Sequence, residues 1–268
     1  MGKTYGFIGC GNMGGAMARA VAKTVSGSDI FLSNRTKAKA DALASELKAK
    51  SVSNLDIAED CDYIFLGVKP QMMADMLADI SETLGKRPAG SFTLITMAAA
   101  LSIADIKRMA GCDCKVLRIM PNTPASIGEG VILYSYDPDL AKENVDEIIS
   151  AIKEAGECVL LPEKLIDAGS AVAGCGPAYA QMFIEALADG GVACGLPRKE
   201  ATLLAAKMLK GSAALTLESG KNPGELKDQV CSPGGSTIQG VRALEESGFR
   251  GAVMDAVIAA YEKTLAMK

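Results

Sequence analysis

Residues 4–14 read TYGFIGCGNMG, a short apolar run that leads into closely spaced glycines. The first six of these residues predict a strand, and residues 11–25 predict a helix with small side chains on one face. Gly9, Gly11 and Gly14 have the spacing G-x-G-x-x-G. Between a strand and a helix this spacing predicts a dinucleotide site, because the free N–H groups and dipole of the helix N-terminus bind a pyrophosphate.

Each glycine of this loop has its own expected role. Gly9 permits the tight turn, Gly11 lets the pyrophosphate approach the backbone, and Gly14 lets the helix pack closely on the strand. Asn12 and Met13 complete the predicted cofactor-binding loop. The alternative is a tight turn between strand and helix that binds no ligand.

The end of the second predicted strand, DIFLSN (29–34), distinguishes between the two nicotinamide cofactors. An NAD site carries Asp or Glu at this point, whereas this chain continues with Asn34 and Arg35. A carboxylate repels a 2′-phosphate, and a guanidinium can bind one with two hydrogen bonds. We therefore predict NADPH as the cofactor, NADH as a weaker substitute, and Asn34 and Arg35 as the selecting residues. An ordinary solvated charge is the alternative for Arg35.

The alternation of apolar runs with helix-like segments extends over residues 1–162 and predicts an α/β Rossmann-type domain with a mostly parallel sheet. Ala-rich segments dominate residues 163–268 and predict an all-α domain. Further strands are predicted at 29–34, near 50–53, and at 62–68, 91–97, 115–120 and 130–135. Further helices of the first domain are predicted at 36–50, 70–84 and 137–156.

Composition excludes several classes of function. The chain has no His, so Ser–His and Cys–His nucleophile pairs are impossible, and no metal site is expected. A net charge of −4 without a basic cluster argues against nucleic-acid binding. The eight scattered cysteines, the lack of a signal pattern and the lack of a long apolar run predict a cytoplasmic protein that is not bound to a membrane.

Two more loops follow predicted strands, where open α/β sheets bind their ligands. They are GVKP (67–70) and MPNTP (120–124). The predicted cofactor contacts in these loops and after the strand at 91–97 are Val68, Lys69, Pro70, Ala98 and Asn122. Asn122 is also a predicted substrate contact. Ordinary turn chemistry is the alternative for these residues.

These motifs together resemble the pyrroline-5-carboxylate reductase family, which completes proline biosynthesis. The resemblance covers essentially the whole chain, and its last segment is the most specific to the family. It is carried by GFIGCGNMGGAM (6–17), FLGVKPQ (65–71), MPNTPASIGEG (120–130), AGCGPAYAQMFIEALADGGVACGLPR (173–198) and PGELKDQVCSPGGSTIQGVRALEESGFRGAV (223–253). The strand at 91–97 departs from the pattern, because it continues into TMAAA where many relatives have Ser and Gly.

The resemblance implies reduction of 1-pyrroline-5-carboxylate to L-proline by hydride transfer from NADPH to a protonated cyclic imine. It also implies that the helical domain forms a homodimer, that such dimers often build larger rings such as decamers, and that the partner supplies part of the active site. Ser232, Gly235, Ser236 and Thr237 would meet the substrate. Its carboxylate would bind backbone N–H groups near 235–237, and the Thr237 hydroxyl would hydrogen-bond the ring nitrogen while solvent supplies the proton.

A structural interpretation of the same stretch is compatible with this role. Residues 236–239, Ser-Thr-Ile-Gln, fit a capping box at the start of a helix that buries Ile238, Val241 and Leu244. A capped helix N-terminus is itself an anion site, so both interpretations can hold.

Three alternatives to the reductase remain at the level of sequence. A β-hydroxyacid dehydrogenase would use a lysine of the helical domain as general acid–base. Lys207 and Lys210 lie there, but no Gly-Gly-x-x-x-Lys pattern precedes them. A reductase of a six-membered cyclic imine is a closer variant. A non-catalytic NADPH sensor would need no polar pocket in the helical domain.

Overall fold

The computed structural model describes residues 2–267, which form two compact units. One unit is the described part of Met1–Gly174 and Tyr261–Lys268, and the other is Cys175–Ala260. Met1 and Lys268, the outer limits of the two predicted domains, lie outside the described residues. The domain boundary predicted between residues 162 and 163 stays a prediction, and the compact units divide further along, after Gly174.

The first unit is built on one sheet. Its strands are β1 (Tyr5–Ile8), β2 (Ile30–Ser33), β3 (Lys50–Ser51), β4 (Tyr63–Leu66), β5 (Thr93–Thr96), β6 (Lys115–Pro121), β7 (Gly130–Tyr136) and β8 (Gly156–Leu160). Across residues 2–267 the strand order is β3-β2-β1-β4-β5-β6-β7-β8, and the pairs are parallel except β6 with β7. The predicted mostly parallel sheet is confirmed. The order reverses between β1 and β4, and open α/β sheets bind ligands at such a point.

Helices connect the strands of this unit. They are α1 (Asn12–Val21), α2 (Lys37–Leu47), α3 (Asn54–Asp60), α4 (Met73–Gly85), α5 (Ile103–Ala110), α6 (Lys142–Ile152) and α7 (Glu163–Ala173). The sequence patterns did not predict α3 and α5. Both begin with a capping box, in which Ser53 pairs with Asp56 and Ser102 pairs with Asp105. The spacing Ser-x-x-Asp was the signal that could have located them.

The core of the first unit lies on both faces of the sheet. Every residue of β1 and β4 is buried, as expected for a parallel sheet covered by helices on both sides. Phe7 and Phe65 stack at 4.5 Å between ring centroids. The remaining core is mainly aliphatic, with methionines such as Met17 and Met73 among the fully buried side chains.

The second unit is helical, which confirms the predicted all-α region. Its helices are α8 (Gly176–Ala193), α9 (Arg198–Ser219), α10 (Pro223–Gln229), α11 (Ser236–Glu246) and the part of α12 (Phe249–Leu265) before residue 261. Small buried side chains such as Ala188 and Ala201 lie on α8 and α9, and Phe183 packs on Phe249 at 5.8 Å. None of the helices within residues 2–267 is long and apolar enough to cross a membrane.

Candidate active site

The three glycines of the first loop have different surroundings. Gly9 has a φ of +101°, which favours glycine, and a Cβ there would lie 2.7 Å from the Gly67 carbonyl oxygen. A Cβ on Gly14 would lie 2.0 Å from the Gly9 carbonyl oxygen. A Cβ on Gly11 would meet nothing within 4 Å. These surroundings match the three expected roles of tight turn, open approach and close packing, while cofactor binding at this loop stays a prediction.

The start of α1 is suited to an anion. Gly11 is the N-cap in an extended conformation and supplies no side-chain hydrogen bond. The N–H groups of Asn12 and Met13 therefore point out of the helix, with the positive end of the helix dipole behind them. The first turn of α1, all of it within the described residues, contains no acidic side chain. A pyrophosphate fits this charge and this open backbone.

Cys10 lies inside the loop as a neutral thiol. Burial raises its pKa to about 11. Its Sγ lies 3.4 Å from the Ser33 carbonyl oxygen, to which the protonated thiol donates a hydrogen bond. The thiol is therefore protonated near neutral pH and adds no negative charge beside the predicted phosphate position.

Asn34 supports the glycine loop through its side chain. Its Oδ1 accepts a hydrogen bond from the Cys10 N–H at 3.1 Å, and its Nδ2 donates to the Thr36 carbonyl oxygen at 3.1 Å. The amide thus connects the end of β2 to the loop after β1. In this structure Asn34, predicted to select the cofactor, stabilises the conformation of the glycine loop.

Arg35 is exposed and lines a groove of about 840 Å³ together with Lys37. The groove also contains Asn54, whose Oδ1 accepts a hydrogen bond from the Ser33 hydroxyl at 2.6 Å, and the carboxylates of Asp56 and Asp79. Two cationic side chains beside the end of β2 fit the 2′-phosphate of NADPH better than the free hydroxyl of NADH.

The loop after β4 lies directly against the glycine loop. The Gly67 N–H donates to the Ile8 carbonyl oxygen at 2.8 Å, and a Cβ on Gly67 would lie 2.3 Å from the Gly9 carbonyl oxygen. Val68 and Pro70 are half-buried and Lys69 is exposed. Gly67 belongs to the predicted loop but was not among the predicted cofactor contacts. A glycine directly after a strand beside β1 was the available signal.

Ala98 follows the neighbouring strand β5. It is buried, and its N–H donates to the Thr96 hydroxyl at 3.3 Å. The register pairs Ile8 with Leu66 and Leu66 with Thr96. The carboxyl ends of β1, β4 and β5 are therefore adjacent, and the structure brings Ala98 to the same edge of the sheet as the two glycine-containing loops.

Ala100 adopts a conformation that favours glycine. Its φ is +63° and it is buried. We expect Ala100→Gly to stabilise the fold by about 1 kcal/mol, because glycine removes the steric cost of a left-handed backbone. Urea unfolding measures the change, and Ala99→Gly, whose φ is not positive, should destabilise. Equal or lower stability of Ala100→Gly would contradict the prediction.

Asn122 is buried at the end of β6, and its amide makes two structural bonds. Its Nδ2 donates to the Ala173 carbonyl oxygen at 2.9 Å, and its Oδ1 accepts the Val131 N–H at 3.0 Å. The side chain therefore joins β6 to α7 and β7. Its predicted contacts with cofactor and substrate stay predictions.

The turn before α11 contains the predicted substrate residues. The Gly235 N–H donates to the Ser232 carbonyl oxygen at 3.0 Å, and Gly234 has a φ of +70°. Because the Gly235 N–H is engaged in this turn, the outward N–H groups at the start of the helix are those of Ser236 and Thr237. Both side chains are exposed.

The predicted capping box at Ser236 is wrong. Gly235 is the N-cap in an extended conformation, the helix begins at Ser236, and no side chain caps it. The turn closed by the Gly235 N–H starts the helix one residue earlier than the Ser-x-x-Gln spacing requires. The predicted burial of Ile238, Val241 and Leu244 is also wrong for the single chain, in which Ile238 and Val241 are half-buried and Leu244 is 45% exposed.

Two family models match the chain. Residues 163–267 match pyrroline-5-carboxylate reductase dimerisation, and residues 4–88 match NADP oxidoreductase coenzyme F420-dependent. The chain is 37% identical to pyrroline-5-carboxylate reductase of Escherichia coli (strain K12), with 98% of each chain covered. It is also 37% identical to the enzyme of that name from Glycine max, covering 97% of this chain and 94% of the relative.

A solved structure agrees with these relatives. Plasmodium falciparum pyrroline carboxylate reductase with NADP bound superposes with a TM-score of 0.88 at 33% identity, covering 99% of this chain and 98% of that chain. The similarity therefore extends through both units, and the strand-end loops and the turn before α11 all fall within it.

Proposed function

The chain belongs to the pyrroline-5-carboxylate reductase family, and we propose that its glycine loop and the turn before α11 are the cofactor and substrate sites of NADPH-dependent reduction of 1-pyrroline-5-carboxylate to L-proline. The observation that carries this proposal is whole-length similarity to reductases of that name, joined to an open glycine loop that suits a pyrophosphate. The reaction needs no histidine, and the chain has none.

NADPH, when bound, supplies the hydride. Gly9, Gly11 and Gly14 let the pyrophosphate reach the start of α1, and Asn12 and Met13 donate their backbone N–H groups. Arg35 binds the 2′-phosphate, while Asn34 keeps the loop in place. The loop residues that complete the proposed cofactor site are Val68, Lys69, Pro70, Ala98 and Asn122.

The substrate residues act by orienting the ring. The N–H groups of Ser236 and Thr237 bind the carboxylate, because the start of α11 carries a partial positive charge. Gly235 has no side chain to obstruct this approach, and Ser232 closes the turn that presents it. The Thr237 hydroxyl hydrogen-bonds the ring nitrogen, which receives its proton from solvent, and so holds the imine carbon in position for the hydride.

Loss of NADPH absorbance with 1-pyrroline-5-carboxylate tests the reaction directly. We expect turnover with this substrate and none when a 3-hydroxyacid and NADP are supplied together. A six-membered cyclic imine carboxylate measures the tolerance for ring size. Cofactor binding without turnover on any of these substrates would contradict the proposal and favour a sensor.

Arg35→Ala tests the proposed 2′-phosphate contact. We expect the KM for NADPH to rise about tenfold, equivalent to ~1.4 kcal/mol, because a charge-assisted hydrogen bond is lost. The KM for NADH should change little. Lys39→Ala removes a neighbouring exposed charge outside the groove and serves as the control. Equal effects of Arg35→Ala on both cofactors would overturn the assignment.

The dimerisation domain indicates that the chain oligomerises. We propose a homodimer formed through residues 163–267, which can assemble into a larger ring such as a decamer. Exposed apolar side chains of the helical unit, including Leu203, Leu217 and Met182, support this proposal. Light scattering measures the mass.

A cytoplasmic location is proposed because all eight cysteines, which lie within residues 2–267, are free thiols.

A further inference from the structure

A charged residue occupies the interior of the sheet. Arg118 of β6 is 1% exposed and is the largest of the fully buried side chains among the described residues. Its Nη2 donates to Asp167 Oδ1 at 2.6 Å, and its Nη1 lies 3.8 Å from Glu163 Oε1. Both carboxylates belong to α7. The guanidinium therefore joins β6 to two successive turns of that helix.

The buried ion pair between Arg118 and Asp167 contributes little net stability to the fold. Asp167 is also buried, and removing two charges from water offsets much of their attraction. Within residues 2–267 the buried Nε of Arg118 has no hydrogen-bond partner, which adds a further cost. Directional bonds of this kind do determine how a helix is aligned on a strand, which apolar contacts leave less specific.

Polar bonds hold α7 along its whole length. At its start, Glu163 Oε1 accepts the N–H of Ile103, the first residue of α5, at 2.6 Å. At its middle, Asp167 binds Arg118. At its end, the Ala173 carbonyl oxygen accepts from Asn122 Nδ2 at 2.9 Å. The middle and end attachments both lead to the same strand and the loop that follows it.

We propose that Arg118 is a positioning residue for the reduction. By aligning α7 on β6, it places the Ala173 carbonyl that orients the Asn122 side chain, and with it the loop after β6 at the carboxyl edge of the sheet. Arg118 acts through α7 and contacts neither cofactor nor substrate. The inference rests on the proposed function, because that function places Asn122 at the cofactor and substrate site.

Arg118→Met and Arg118→Lys test the inference against Arg87→Met. Lysine keeps the charge but cannot bind two carboxylates with one planar group. Arg87 is the matched control, because its partly buried guanidinium binds the carbonyl oxygens of Cys61 and Ser91, at the opposite edge of the sheet. The measurements are kcat, the KM for NADPH, and hydrogen exchange of the Val131 amide, which donates to Asn122 Oδ1.

We expect Arg118→Met to lower kcat at least tenfold and to speed Val131 exchange at least tenfold. The KM for NADPH should rise by a smaller factor than kcat falls, because Asn122 is one of several proposed cofactor contacts. Arg118→Lys should give a smaller loss of the same kind, and it carries the test if the Met variant does not fold. Arg87→Met should leave all three readouts within twofold. The inference is overturned if Arg118→Lys retains full kcat and Val131 protection, or if Arg87→Met lowers kcat equally.

Failure of the proposed function is a separate outcome. It shows as absence of turnover by the unmodified protein with 1-pyrroline-5-carboxylate and NADPH. In that case, hydrogen exchange of the Val131 amide alone tests whether Arg118 positions Asn122. Exchange that is unchanged in both Arg118 variants overturns the proposed link between Arg118 and Asn122, whatever the substrate.

Discussion

Gly11→Ala is expected to weaken NADPH binding about 100-fold, equivalent to ~2.7 kcal/mol, with little change in the free energy of unfolding. The backbone of Gly11 has a φ of −71° and a ψ of −163°, which alanine adopts easily. A methyl group there meets no protein atom within 4 Å, so the fold tolerates it. It would, however, stand on the open side where the pyrophosphate approaches the backbone. Calorimetric titration with NADPH and urea unfolding measure the two effects.

Gly14→Ala, in contrast, should lower the stability of the fold. Its Cβ would lie 2.0 Å from the Gly9 carbonyl oxygen, so the backbone must move, and we expect a loss of stability of about 3 kcal/mol. Gly211→Ala, at an open position of α9, is the control for adding a methyl group and should leave NADPH affinity unchanged. Parent-like NADPH binding by Gly11→Ala would rule out a close pyrophosphate contact at this loop.

Thr237→Val is expected to lower kcat more than about tenfold, or ~1.4 kcal/mol in barrier height, while the KM for NADPH stays nearly constant. Valine has the same shape as threonine but cannot hydrogen-bond the ring nitrogen, so the imine loses an orienting contact. The Thr237 side chain is exposed at the start of α11, so the fold should be unaffected. Steady-state kinetics with 1-pyrroline-5-carboxylate provide the measurement.

Two variants accompany this test. Thr237→Ser keeps the hydroxyl and should retain most of kcat. Thr202→Val removes a hydroxyl that bonds the Arg198 carbonyl oxygen within α9 at 3.0 Å, and it should leave kcat unchanged. If Thr237→Val turns over as fast as the parent, the hydroxyl has no role in orienting the ring.

Several elements were predictable because their patterns are local. The buried runs at β1 and β4 and the helix after the glycine loop follow from residues close together in the chain. The short helices α3 and α5 were not predicted, because seven or eight residues contain too few turns for a clear hydrophobic periodicity. Their capping boxes were better signals than the periodicity.

The capping box predicted at Ser236, before α11, is wrong for a different reason. The spacing from Ser236 to Gln239 satisfies the capping-box pattern, yet the pattern does not say which residue takes the extended N-cap conformation. Gly235 does so here, because its N–H closes the turn back to Ser232. The burial predicted for Leu244 was wrong for the single chain, because the apolar spacing of a helix does not identify the chain that covers its apolar face.

The sequence by itself determined the glycine loop, the mostly parallel sheet, the helical second half and the family, since each depends on the order and spacing of neighbouring residues. Only the tertiary structure decided that Asn34 supports the glycine loop, that Asn122 binds Ala173, and that Arg118 lies buried against Asp167. These contacts join residues far apart in the chain. Local spacing carries no record of such pairs, because they form only when strands and helices pack and buried polar groups must find partners.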